Sequence, residues 1–94
     1  MRIVGKDKLD EAIKKYADTK GPLQAWMEEV KNSDWKTPQD IKNKFSTISF
    51  IQNNKALFNI KGNHYRLHVL IGYNSGTVSV KWFGTHADYD DKKF

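Results

Sequence analysis

An α+β fold is what this sequence predicts, with helices in the first half and an antiparallel meander in the second. Three observations carry that reading. Apolar residues recur at helical spacing as far as Val30. Beyond Ser49 the apolar period changes to two. Asparagine and glycine pairs then punctuate the chain where hairpins need them.

Arg2-Ile3-Val4 reads as a short first strand ending at Gly5. Residues 6–17 follow as a helix, with Leu9, Ile13, Tyr16 and Ala17 forming one apolar stripe. Its acids (Asp7, Asp10, Glu11) come early and its lysines (Lys14, Lys15) late, as the helix dipole favours. Gly21-Pro22 ends that helix, and Pro22 suits the first turn of the next. Leu23, Trp26, Met27 and Val30 form the second stripe, stopped by Asn32-Ser33. The two stripes predict an antiparallel helical hairpin. Thr37-Pro38-Gln39-Asp40 is a helix start, Thr37 being the N-cap, for a short helix through Lys44.

Ser49 to Gln52 is a short strand, Asn53-Asn54 a turn, Ala56 to Ile60 a strand and Gly62-Asn63 a tight hairpin. Tyr65, Leu67, Val69, Ile71 and Tyr73 then alternate with Arg66, His68, Leu70 and Gly72. After the turn Asn74-Ser75-Gly76, Val78, Val80 and Trp82 alternate with Ser79, Lys81 and Phe83. One face of the sheet is therefore expected to be apolar and to take the helices. The other carries Arg66, His68 and Lys81, with Lys61, Asn63 and His64 at the hairpin tip.

A chain of 94 residues supports a single domain, here 1–94. Cysteine is absent, which rules out disulfides and Cys-based zinc sites and fits a reducing compartment. No apolar run approaches the ~18 residues of a membrane span, and no signal-peptide core follows Met1. A cytoplasmic protein without membrane contact is expected. Net charge is +5, and its distribution is uneven. Residues 1–44 carry ten Lys/Arg and eight Asp/Glu, whereas Phe45 to Ala87 contains no carboxylate beside Lys55, Lys61, Arg66 and Lys81. Such a stretch creates a positive field, and RNA or DNA is the natural partner. The plainer alternative is a basic domain with no polyanion partner.

The run WFGTHADYD, Trp82 to Asp90, places an imidazole, a phenol and two carboxylates where the last apolar strand runs out. His64 and His68 would stand about 13 Å apart on a strand, too far to share a metal, and no metal or cofactor is expected. Thr85-His86-Asp88 does not read as a hydrolase triad, because adjacent residues seldom aim at each other. Scission of RNA by its own 2′-hydroxyl fits better. It needs a base, cations for the crowded phosphorane and an acid for the leaving oxygen. His86 can move a proton near neutral pH. Arg66 and Lys81 can hold phosphate, and Tyr89 can stack a base or donate its phenol. Each has a plainer role available: His86 as a loop cap, Tyr89 as a core aromatic, Arg66 paired with a helix carboxylate, His68 as a strand residue and Lys55 merely solvated. Asp88 and Asp90 either orient His86 or cap the chain end.

Two stretches carry a family resemblance. Phe58 to Leu67, FNIKGNHYRL, is similar to the F-x-I-x-G-N-x-Y-R-L signature of HigB-type toxins of type II toxin–antitoxin modules. Trp82 to Asp90 resembles the F-x-G-T-H-x-x-Y-D motif that closes the same family. The resemblance implies the RelE/ParE superfamily fold, two N-terminal helices packed on a twisted antiparallel sheet. It also implies an mRNA endonuclease acting on the ribosome, and a cognate helix-turn-helix antitoxin of the HigA type. By position it selects Asn63 and Arg66 in the first motif and Thr85, His86, Tyr89 and Asp90 in the second, with Lys81 at a typically basic strand position. The resulting expectation is a metal-independent mRNA interferase. Arg66, Lys81, His86 and Tyr89 would be catalytic, with Lys61, Asn63, His64, His68 and Thr85 along the RNA. The rivals are a gyrase-inhibiting toxin of the ParE kind and a non-catalytic RNA-binding protein.

Overall fold

In the computed structural model, which describes residues 1–91, Arg2–Val4 forms the expected short strand β1. The single-domain expectation also covers residues 92–94, which lie outside the described residues. Gly5 follows β1 with φ +87°, a left-handed turn that a side chain would strain, and it packs against Val80. Helix α1 (Lys6–Lys15) starts there. It ends two residues before the sequence pattern does, because Ala17–Thr19 tightens into a 3-10 turn. Buried Thr19 closes that turn through its hydroxyl, which donates to the Tyr16 carbonyl at 2.6 Å. Helix α2 (Lys20–Lys31) begins directly afterwards, so Pro22 lies in its first turn as expected, but Gly21 is inside the helix too, and the Ala17–Thr19 turn rather than Gly21-Pro22 separates the two helices. Proline's missing N–H is harmless in a first turn.

Helix α3 (Pro38–Lys44) carries the full capping box expected at Thr37 and Asp40. The Asp40 N–H donates to Thr37 Oγ1 at 3.3 Å, and the Thr37 N–H donates to Asp40 Oδ2 at 3.1 Å.

The remaining strands are β2 (Ser49–Ile51), β3 (Lys55–Ile60), β4 (Tyr65–Gly72) and β5 (Thr77–Thr85). Asn53 and Asn54 both take left-handed backbone angles in the β2–β3 turn, which asparagine tolerates. The sheet order is β1-β5-β4-β3-β2. β2 to β5 form the antiparallel meander, and β1 adds to β5 in parallel. The helices cover one face. Leu9, Leu23, Trp26, Val30 and Ile41 share a single core with Phe58, Leu67, Val69, Ile71, Val78 and Val80. Trp26 meets Phe58 edge-on, with ring centroids 5.4 Å apart. The fold is thus α+β as expected. No helix among the described residues is long and apolar enough to cross a membrane.

One expectation is corrected. Strict alternation puts Trp82 with Val78 and Val80 on the core face. Instead the β4–β5 ladder passes from Val69↔Val80 to His68↔Trp82, leaving Lys81 as the extra residue of a β-bulge. The bulge reverses the parity of everything after it. Phe83, not Trp82, faces the core, stacked on Tyr65 with ring centroids 5.5 Å apart. Trp82 turns to the opposite face, alongside His68.

Candidate functional site

The sheet face away from the helices presents Lys55, Leu57 and Asn59 from β3, Arg66 and His68 from β4, and Trp82 and Gly84 from β5. At its end the chain forms a short helix, α4 (His86–Asp90), which folds back against β4 and β5. Two devices fix it. Thr85 is its N-cap, the hydroxyl accepting from the Asp88 N–H at 3.1 Å. The His86 N–H donates to the His64 carbonyl at 3.0 Å, which joins α4 to the β3–β4 turn.

These constraints bring Arg66, His86 and Tyr89 together. Arg66 Nη2 lies 2.8 Å from His86 Nε2, and Nη1 donates to Asn59 Oδ1. The guanidinium carbon sits 5.7 Å from the Tyr89 ring centroid. His86 Nδ1 lies 3.1 Å from Asp90 Oδ2, one helical turn on. Arginine can only donate and a carboxylate can only accept. The pairing therefore assigns His86 the neutral tautomer with its proton on Nδ1 and its lone pair on Nε2. Among the described residues no carboxylate pairs with Arg66, whose contacts are an amide, an imidazole and a phenol ring. Of the two acids, Asp90 contacts the His86 ring, while Asp88 gives its backbone N–H to the Thr85 cap.

Tyr89 is half-buried and its ring lies 6.1 Å from that of Trp82. Glycine at 84 permits this, since a Cβ there would come within 2.6 Å of the Trp82 ring. His68 is 4% exposed. Burial first, and then the charges of Lys55 and Lys81, hold its imidazole below the usual histidine range, so it is neutral at pH 7. Its cross-strand neighbours are Leu57 on β3 and Trp82 on β5.

The other expected residues lie further out. Lys61 is bound to Asp18 at 2.6 Å, and Asp18 also accepts from the Tyr65 hydroxyl at 2.8 Å. Lys61 is thereby tied to the helical layer rather than to Arg66. The bonds from Lys61 and Tyr65 hold the Asp18 carboxyl below its ordinary value. Asn63 and His64 are exposed at the β3–β4 turn. Lys81 is exposed on its bulge, at the margin of the face. Sequence reasoning missed Asn59 and Trp82, and set Lys55 aside as merely solvated. Asn59 and Lys55 alternate on β3 in phase with Arg66 and His68, a signal that needed the strand register to be read.

A family model described as HigB toxin, the RelE-like toxic component of a toxin–antitoxin system, matches residues 19–92 of this chain. The chain is also similar to an mRNA interferase HigB of Escherichia coli O6:H1 (strain CFT073). The two are 27% identical over 92 residues, covering 96% of this chain and 89% of that protein.

Proposed function

This chain belongs to the HigB toxin family of RelE-like toxic components of toxin–antitoxin systems, and from that premise we propose that it is an mRNA endonuclease. It acts as one toxin domain in the cytoplasm, cuts translated messages on the ribosome, and is held in check by a helix-turn-helix antitoxin of the HigA type. The observation that carries the reading is Arg66. Its cation is fixed on two sides by neutral groups, lacks a carboxylate partner among the described residues, and touches a histidine whose lone pair faces it. A phosphodiester supplies the missing anion.

In this reading the scissile phosphate docks on Arg66 and takes its N–H away from His86 Nε2. The freed lone pair accepts the proton of the neighbouring 2′-hydroxyl. The 2′-oxygen bonds to phosphorus, the bond to the 5′-oxygen breaks as that oxygen takes up, through solvent, the proton His86 received, and the products are a 2′,3′-cyclic phosphate and a 5′-hydroxyl. Arg66 and Lys81 stabilise the charge of the phosphorane. Tyr89, flanked by Trp82, positions a nucleotide by stacking. Thr85 contributes by holding α4, and Asn63, His64 and Lys61 border the RNA path, whereas His68, expected along the RNA, is too buried to touch it. No metal or cofactor enters this scheme.

The test is induced expression followed by mapping of mRNA 5′ ends, with wild type beside Arg66→Ala and His86→Ala. Codon-phased cuts are expected for wild type, reduced by ~10²-fold or more when the phosphate-stabilising cation is lost. Growth arrest with intact messages and broken DNA would overturn the reading in favour of a gyrase-inhibiting toxin.

A further inference from the structure

A cleft of about 240 Å³ lies between α1 and the outer edge of β5. β1 covers β5 only from Thr77 to Ser79, and among the described residues the edge beyond has no strand neighbour. Lys8, Glu11, Ala12 and Lys15 line it from α1, spaced so that they share one helix face. Lys81 and Trp82 line it from β5. Among the described residues none of the three lysines is paired with a carboxylate, although Glu11 is near. Lys8 stands in the first turn of α1, where the helix dipole disfavours a cation. Lys15 extends over the Tyr16 ring, 5.3 Å from its centroid. The cleft is smaller than the ~300–1,000 Å³ of sites that enclose a small molecule, and it suits a chain passing through. Trp82 joins it to the face described above, lining the cleft while its ring lies 6.1 Å from that of Tyr89.

We propose that this cleft is a second RNA contact, which takes the ribose-phosphate chain of the single strand flanking the cut on Lys8 and Lys15, with Lys81 standing between this contact and the first. The proposal rests on the nuclease reading and extends its substrate from one phosphate to a segment of several nucleotides. Basic grooves with aromatic walls bind single strands in this way, without regard to sequence.

The test uses 2′-O-methyl oligoribonucleotides, which cannot be cut, of three and twelve nucleotides. Binding to the purified chain is followed by fluorescence anisotropy over a range of salt. The variants are Lys8→Ala/Lys15→Ala and the charge-keeping Lys8→Arg/Lys15→Arg, with circular dichroism melts to establish folding. For the twelve-mer, the alanine variant is expected to lose roughly tenfold in affinity at 0.1 M salt. Its slope of log affinity against log salt should fall by about 1.4, two phosphate contacts at ~0.7 each. The arginine variant should restore both, and the three-mer should bind all proteins alike. An unchanged slope in the alanine variant, or equal losses for both oligomers, overturns the cleft. If that happens while wild type still cuts messages in cells, the nuclease reading stands alone. If wild type neither cuts messages nor binds the twelve-mer, both fall.

Discussion

At the scale of single residues, the geometry separates groups that perform chemistry from groups that hold the fold. Asp90 is on the exposed surface, and its contact with His86 has little energetic weight there. In the proposed mechanism its role is to fix the tautomer. Asp90→Ala should therefore melt within about 2 °C of wild type yet cut messages on the order of tenfold more slowly. Melting curves beside 5′-end mapping check both halves. His68 is the opposite case, a buried imidazole held neutral in the fold. As pH falls below about 6.5 the unfolded chain binds a proton at this position while the folded chain does not. Stability is thus lost with falling pH, until the folded value is also passed. Urea unfolding at pH 7 and pH 5.5 should show a larger loss for wild type than for His68→Gln, by up to about 1.4 kcal/mol per pH unit. Equal losses would mean that His68 titrates as it does in the unfolded chain.

At the scale of elements, the bulge at Lys81 matters most. Removing Lys81 would join Val80 to Trp82 and leave a regular ladder with each neighbour on its present face. A deletion in the middle of a strand normally inverts all that follows, but here it repairs the register. The expected result is a folded protein, melting within about 5 °C of wild type, whose cleavage falls by about 10²-fold for want of the cation. A loss of cooperative unfolding would refute this. The same element shows what a sequence can and cannot disclose. The stripes of α1 and α2, the capping box at Thr37 and the alternation of β4 were legible because each is a local pattern. The bulge was not. Trp82 and Phe83 are both apolar, so a pattern of apolar and polar residues carries no mark where the parity reverses. Arg66, His86 and Tyr89 were legible by residue type and motif. Asn59 and Lys55 join them only through the β3–β4 register, and the role of Asp90 depends on α4 being helical.

At the scale of the whole molecule, the helical half and the sheet half are tied at the surface by Asp18, Lys61 and Tyr65. The carboxyl of Asp18 is held below its ordinary value by the bonds it accepts. Its contribution is therefore present above the unfolded carboxylate value and is lost as pH falls through the lower, folded one. Asp18→Asn should be less stable than wild type at pH 7, by a modest margin because the group is exposed, and the difference should close toward pH 2. Thermal melts at both pH values decide it, and a gap that persists in acid would assign the effect to packing instead. The pairing of β1 with β5 has a consequence in time. A ribosome building this chain makes Arg2 well before its partner Thr77, and Lys81, His86, Tyr89 and Asp90 follow later still. A nascent chain that has reached Val80 contains the residues of α1, α2, α3 and β1 to β4, yet of the four residues proposed to be catalytic it holds only Arg66. Synthesis therefore supplies the core residues before it completes the proposed catalytic set.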